Sequence, residues 1–143
     1  TRLAAQPVLA GLKHLNRLEQ ILARAEWDDP TIAEGLMLDF TDHVVSAISA
    51  NLFAVVDGRL VTPPVEHCGV AGVARAEVLA VRDVDVRKLH RDELQHADEI
   101  FLSSSVRGIV PVVAVGAVAF AAGSAARGLR EHWCALGFAE TAA

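Results

Sequence analysis

Lysine is almost missing from this chain. Among its 143 residues and its 13 lysines and arginines, only Lys13 and Lys88 are lysine. No cluster of basic residues interrupts a formal net charge of -5. The concentrated positive surface that phosphate backbones require is therefore lacking, and no nucleic-acid partner is expected. Cysteine is confined to Cys68 and Cys134, far apart and without CxxC or metal-ligand spacing. No basic-then-apolar leader opens the chain, so secretion has no support and the cytoplasm is the expected location. The six histidines form no HxxxH or HExxH pair, and His90 and His96 are out of phase for a shared metal, so no metal site is expected. No internal repeat or low-complexity linker is present.

One long uncharged run does exist, from Ile109 to Ala126. Pro111, Gly116 and Gly123 interrupt it and its front half is valine-rich, so it reads as a buried strand followed by a turn and a strand, not as a membrane helix. With 52% hydrophobic and 22% charged residues, the chain has the composition of one folded domain with a substantial core.

Periodicity places the elements. Leu15, Leu18, Ile21, Leu22 and Ala25 recur at helical spacing, with Arg17, Glu19, Gln20 and Arg24 on the other side, so an amphipathic helix follows Lys13. Leu36 to Phe40 reads as a strand, Asp42-His43 as a turn, and Leu52 to Val56 with Arg59 to Val61 as a hairpin closed by Asp57-Gly58. Val73 to Val81 reads as a helix entered from Gly69 and Gly72, carrying Arg75 and Glu77 outward. Short elements are expected at Val84 to Val86 and Asp92 to Ala97, then strands at Ile100 to Ser103 and Ile109 to Val115. A final helix is expected over Ser124 to Leu136, with Cys134 as a small core residue. Strands and helices mix without regular alternation, so the fold class is α+β, a mixed α/β barrel-like domain.

Against this background Lys13 stands out, because it leads out of the apolar run Val8-Leu9-Ala10-Gly11-Leu12. Taken alone, a lysine before a helix is a solvated charge. An amine on a flexible stem that sheds its proton when desolvated is also what covalent catalysis on carbonyl groups requires. The stretch Lys13-His14-Leu15-Asn16-Arg17-Leu18-Glu19-Gln20 resembles the cofactor-lysine motif of the fold-type IV, class-IV aminotransferase-like pyridoxal-phosphate enzymes, and their aminodeoxychorismate lyase branch in particular. The resemblance continues through Glu34-Gly35-Leu36-Met37-Leu38-Asp39, Ser49-Ala50-Asn51-Leu52-Phe53, the Asp57 to Pro63 hairpin and Cys68-Gly69-Val70-Ala71-Gly72-Val73-Ala74-Arg75. It ends with Ala97 to Leu102 and Gly108-Ile109-Val110-Pro111-Val112.

The resemblance implies the large C-terminal domain of the D-amino-acid aminotransferase-like fold, spanning residues 1–143, with a smaller N-terminal domain preceding it in full-length members, and a homodimer. It implies pyridoxal 5'-phosphate as cofactor, Lys13 as its covalent anchor and proton carrier, and the backbone N–H groups of Val73 and Ala74 as a phosphate cradle. Ser104 and Ser105 are implied as phosphate neighbours. Aligned through Asn51-Leu52-Phe53, the position facing the pyridine nitrogen falls on Ser46, where family members usually carry glutamate. A serine hydrogen-bonds but supplies no negative charge. Either the ring runs less protonated, a neighbouring carboxylate substitutes, or the alignment shifts by a residue or two. His14, next to the lysine, is read as structural. The implied reaction turns 4-amino-4-deoxychorismate into 4-aminobenzoate and pyruvate. The alternatives are a class-IV aminotransferase acting on D-amino or branched-chain acids, and a non-catalytic domain that only associates. In the family the N-terminal half completes the site, so these 143 residues alone are expected to turn over poorly.

Overall fold

Residues 1–138 are described by the structure, a computed structural model. In chain order it forms α1 (Leu18–Arg24), β1 (Leu36–Leu38), β2 (His43–Ala47), β3 (Asn51–Val56), β4 (Arg59–Thr62), α2 (Val73–Val81), β5 (Asp85–Val86) and β6 (Leu89–His90). Then follow α3 (Arg91–Leu94), β7 (Glu99–Ser104), β8 (Gly108–Pro111), β9 (Ala114–Val115), β10 (Val118–Ala119) and α4 (Ser124–Ala135). A five-stranded sheet is ordered β5-β4-β3-β7-β8, a three-stranded sheet β1-β2-β6, and β9-β10 is a separate hairpin. Pairing in the five-stranded sheet is antiparallel except between β4 and β5. This is the mixed α/β architecture expected.

Alternation along β3 divides the core. Phe53 points to the face covered by α2 and α4, where it packs with Val78, Phe101, Ile109, Ala126 and Leu129. Leu52 and Ala54 point the other way, into a second core with Val44, Leu89, Ile100 and Leu102 that joins the two sheets. Phe53 and Phe101 are fully buried and stacked, ring centroids 5.0 Å apart. Each such side chain contributes about 1.5–3 kcal/mol of burial. The Asp57-Gly58 turn has both residues at positive φ, 51° and 71°, the geometry of a two-residue hairpin that matches strand twist. A third cluster, Leu3, Ala23, Met37 and Val45, closes the far side of the small sheet.

Several expectations are corrected here. The helix after Lys13 forms, but only over seven residues, and Leu18, Ile21 and Leu22 remain exposed while Ala23 alone is buried. Leu3 packs in the cluster against Met37 and Val45, on the sheet face that a leucine stripe would otherwise cover. Asp42 is a turn residue with φ 62°, but His43 opens β2, a strand the sequence pattern does not reveal because four of its five residues are buried. The valine-rich run splits into β8, which ends at Pro111, and the β9-β10 hairpin. Among the described residues no helix is long and apolar enough to cross a membrane. Arg75 is buried, at 7% exposure, and Cys134 is exposed, both the reverse of expectation.

Candidate active site

One end of β3 and β7 gathers the residues singled out by sequence. Asn51 opens β3 and lies opposite Ser103 of β7, on the same face of the sheet as Phe53 and Phe101. Its Nδ2 donates to the carbonyl of Val70 at 2.8 Å, in the loop that leads into α2. That loop has no rotational slack. Gly69 sits at φ +92°, and a Cβ there would come within 2.9 Å of Val45 Cγ1; a Cβ on Gly72 would overlap Asn51 Oδ1. The glycines are required by close approach of backbone to side chain.

Lys13 is tied to this loop through the backbone. Gly11 and Val70 form a parallel bridge, with the Gly11 N–H donating to the Gly69 carbonyl at 3.1 Å and the Ala71 N–H to the Gly11 carbonyl at 3.0 Å. Lys13 follows two residues later, with its side chain exposed. The loop ends at Gly72, the N-cap of α2, which carries no side-chain cap. The first intrahelical bond to the cap runs from the Ala76 N–H to the Gly72 carbonyl at 2.9 Å. The N–H groups of Val73 and Ala74 therefore belong to the first turn, whose donors a helix cannot satisfy itself. They point along the helix axis toward an anion position. Val73 is exposed and Ala74 is buried at 1%, so one side chain leaves the approach open while the other fixes the turn against the sheet.

Arg75, next in α2, is held inward. Its Nη2 donates to the Pro63 carbonyl at 3.1 Å, and its buried Nε has no partner. Burial holds its pKa below the usual guanidinium range, while Glu66 pulls it the other way.

On the other side of Asn51, β7 ends in the turn containing Ser104, Ser105 and Arg107. Ser104 Oγ accepts from the Arg107 N–H at 3.1 Å, which closes the turn, and Ser105 is exposed at its tip. Ser103 is buried at 1% and its Oγ has no partner. Arg107 Nη2 donates to Glu34 Oε2 at 2.7 Å and to Ser49 Oγ at 3.2 Å. The Ser49 hydroxyl in turn donates to Glu34 Oε2 at 2.6 Å.

Ser46 is positioned by an irregularity. Leu36, Met37 and Leu38 pair with Ala47, Ser46 and Val44, so Val45 is skipped and β2 bulges there. Directly paired residues share a face, which puts Ser46 on the side of Met37 and Val45, where the N-terminal segment and the glycine loop pack. Bulges of this kind re-aim side chains beside functional sites. Glu34, on the neighbouring loop, is engaged by Ser49 and Arg107. His14 has its Nδ1 buried without a partner. Cys68, half-buried beside Gly69, has its thiol pKa raised by burial, with Asp39 and Glu19 adding to the effect.

The structure thus ties the segment just before Lys13 to the glycine loop that leads into Val73 and Ala74, with Ser104 at the end of β7 and Ser105 in the turn after it, and Ser46 on β2. The sequence pattern assigns no role to Asn51, Glu34 or Ser49, although all three lie inside the quoted motifs. It gives none to Arg107 either. Only the fold shows that Asn51 joins the loop to the sheet.

The amino-transferase class IV family model matches residues 1–115. The chain belongs to this family. It is 41% identical over 122 residues to the aminodeoxychorismate lyase of Vibrio harveyi, covering 82% of this chain and 45% of that protein. The solved 4-amino-4-deoxychorismate lyase from Pseudomonas aeruginosa superposes with a TM-score of 0.87 at 50% identity, covering 92% of this chain and 51% of that one. The branched-chain amino acid aminotransferase from Escherichia coli superposes at 0.79 with 27% identity, over 89% of this chain and 46% of that one. The chain spans about half the length of the relatives it matches.

The class IV family implies pyridoxal phosphate, and the site fits that group. A turn left uncapped at α2, a Gly72 whose Cβ would overlap the Asn51 side chain, and a buried Ser103 hydroxyl without a partner all lie at one end of the sheet. A phosphate dianion supplies the acceptors that such donors lack.

Proposed function

We propose that this chain carries the cofactor-lysine part of a pyridoxal-phosphate-dependent lyase that converts 4-amino-4-deoxychorismate into 4-aminobenzoate and pyruvate. The observation that carries the reading is the backbone bridge between Gly11 and Val70. It ties the segment leading into the Lys13-His14-Leu15-Asn16-Arg17 motif to the loop that precedes an uncapped helix N-terminus, in a chain 41–50% identical to proteins named as that lyase.

Lys13 would hold the cofactor covalently, the Val73 and Ala74 N–H groups with Ser104 and Ser105 would hold its phosphate, and Ser46 would face its pyridine nitrogen. When bound, pyridoxal phosphate withdraws electrons from the carbon that bears the substrate amine. Lys13 Nζ would remove the proton from that carbon. The carbon–oxygen bond to the enolpyruvyl group then breaks, the ring becomes aromatic, and Lys13 Nζ delivers a proton to the methylene carbon of the departing group to give pyruvate. One amine is thus both anchor and base. Ser46 in place of a carboxylate lowers the pull on the ring nitrogen, and aromatisation of the product supplies driving force in its stead.

The same fold and lysine serve aminotransferases, and the branched-chain relatives at 32% identity support that second reading. Incubation with aminodeoxychorismate, against an amino acid with a 2-oxo acid, separates the two. Release of 4-aminobenzoate and pyruvate is expected; amino-group exchange without either product refutes the lyase reading. Borohydride reduction of the loaded protein should fix the cofactor on Lys13, and no adduct at all would favour a domain that only associates.

A further inference from the structure

We propose that Arg107 recognises a carboxylate of the substrate, with Glu34 standing in for that carboxylate when the site is empty of substrate. The inference rests on the cofactor-lysine reading above, and holds for the lyase and the aminotransferase alike, because the substrates of both carry an amine and a carboxylate.

The turn fixes the location. The Arg107 N–H is clamped on Ser104 Oγ, and Gly108 follows at φ +62°, so the backbone of Arg107 is set at the same end of the sheet as Asn51, the glycine loop and Lys13. Its guanidinium crosses from the β7-β8 turn to the β2-β3 turn, reaching Ser49 two residues before Asn51. It therefore spans the two turns at that end of the sheet. The guanidinium is the group best suited to carboxylates, because its planar donors match the two oxygens.

The present partner is replaceable. Arg107 is 36% exposed along its side chain and Glu34 15%, so the pair is open to water on the arginine side and its net contribution is modest. Glu34 does not depend on Arg107. Its Oε2 accepts from the Ser49 hydroxyl at 2.6 Å, and its Oε1 lies 3.4 Å from the Gly35 N–H. When a substrate carboxylate draws the guanidinium away, Glu34 keeps these donors. Glu34 and substrate therefore compete for one cation, and this competition separates recognition from a purely structural pair. A structural pair weakens when either partner is removed. A competing pair responds with opposite signs.

The test titrates the protein loaded with pyridoxal phosphate with 4-aminobenzoate and with aniline, which differ by the carboxylate alone, following the cofactor absorbance. Arg107→Met should weaken 4-aminobenzoate about 10–100-fold, the loss of a charge-assisted hydrogen bond, and leave aniline within about twofold. Arg107→Lys should recover part of the loss. Glu34→Gln, which keeps an acceptor for Ser49, should tighten 4-aminobenzoate about 2–5-fold by ending the competition. Equal losses for both ligands in Arg107→Met, weaker 4-aminobenzoate binding in Glu34→Gln, or no preference for 4-aminobenzoate over aniline in the parent protein would each overturn the proposal. If the parent protein makes no 4-aminobenzoate from aminodeoxychorismate yet the titrations keep their opposite signs, the lyase reading fails and the role of Arg107 stands.

Discussion

Replacing Gly72 with alanine should damage both stability and cofactor binding, and the structure sets the size of each effect. Gly72 has φ -68°, a conformation open to any residue, so backbone strain contributes nothing. The cost comes from the side chain. The added Cβ overlaps Asn51 Oδ1, and Asn51 Cγ stands 3.5 Å away, so the amide must turn or the loop must lift. Either movement breaks the 2.8 Å bond from Asn51 Nδ2 to Val70. Overpacking of this kind costs about 1–3 kcal/mol and the lost hydrogen bond about 1 kcal/mol, for a total of about 2–4 kcal/mol. Unfolding entropy of about 2.1 cal/mol/K per residue gives about 0.3 kcal/mol/K for a chain of this length, so the melting midpoint should fall by about 7–13 °C. The displaced α2 terminus should weaken pyridoxal phosphate about tenfold, equivalent to about 1.4 kcal/mol.

Thermal unfolding by circular dichroism and a cofactor titration measure the two effects. Gly58→Ala is the control. Gly58 has φ +71°, and a methyl group added there would have nothing within 4 Å, so its cost is conformational, about 1–2 kcal/mol, and cofactor affinity should not move. The double variant Asn51→Ala/Gly72→Ala completes the cycle: with the amide gone there is nothing to overlap, and adding Gly72→Ala to Asn51→Ala should cost less than about 0.5 kcal/mol. A Gly72→Ala protein melting within roughly 2–3 °C of its parent, an effect smaller than 1 kcal/mol, or two changes that simply add, would refute the close-approach argument.

Lys13→Ala should abolish the borohydride-stable cofactor adduct, detected by mass spectrometry, while shifting stability by less than about 0.5 kcal/mol because the side chain is exposed. Glu99→Gln should destabilise the domain by about 2 kcal/mol, measured by urea unfolding: the buried carboxylate accepts from the Ala125 and Ala126 N–H groups at 3.1 and 2.7 Å, and an amide turns one acceptor into a donor facing an N–H. Acid should destabilise the fold. The His90 N–H holds Glu93 below its ordinary pKa, and at Asp39 an opposing effect of burial is outweighed by N–H donors from His43 and Thr41 with the Thr41 hydroxyl. Groups with lowered native pKa values bind more protons when unfolded, so this stability is complete above the ordinary carboxylate pKa of about 4 and is lost as pH falls through the lowered native values. Urea midpoints followed from neutral pH down to about pH 3 should decline only at the acidic end.

Where pattern and local chemistry agree, the sequence is readable. Asp57-Gly58 announces its hairpin, and Val73 to Val81 is helical over the expected span. The failures share a physical origin. β2 is buried at four of five positions, so it lacks the alternation that marks a half-exposed strand, and its bulge at Val45 further breaks the period. The pattern places Arg75 outward because arginine usually faces water, but the Pro63 carbonyl in the adjacent loop accepts from its Nη2, a partner no local pattern contains. The apolar stripe of α1 reads as a core face, yet Leu3, distant in sequence, occupies the packing position against Met37 and Val45. Each miss depends on packing or a partner that the local pattern does not contain.

The same distinction orders the candidate site. Motif residues such as Lys13, Gly72 and Asn51 are visible in the chain, but their meaning depends on the Gly11–Val70 bridge and the Asn51–Val70 hydrogen bond, which are long-range and made by backbone or by a buried amide. These contacts build the side that would grip a phosphate, and they leave little freedom there. The opposite flank is made of side chains: Arg107, Glu34 and Ser49 reach one another across turns, and Arg107 is partly exposed. A rigid backbone cradle suits an invariant group such as a phosphate, because fixed donors bind without reorganising. Exchangeable side-chain pairs suit a variable group such as the substrate. Substitutions in the glycine loop should therefore change cofactor affinity for every substrate alike, whereas substitutions at Arg107 and Glu34 should change which substrates bind while the cofactor remains in place.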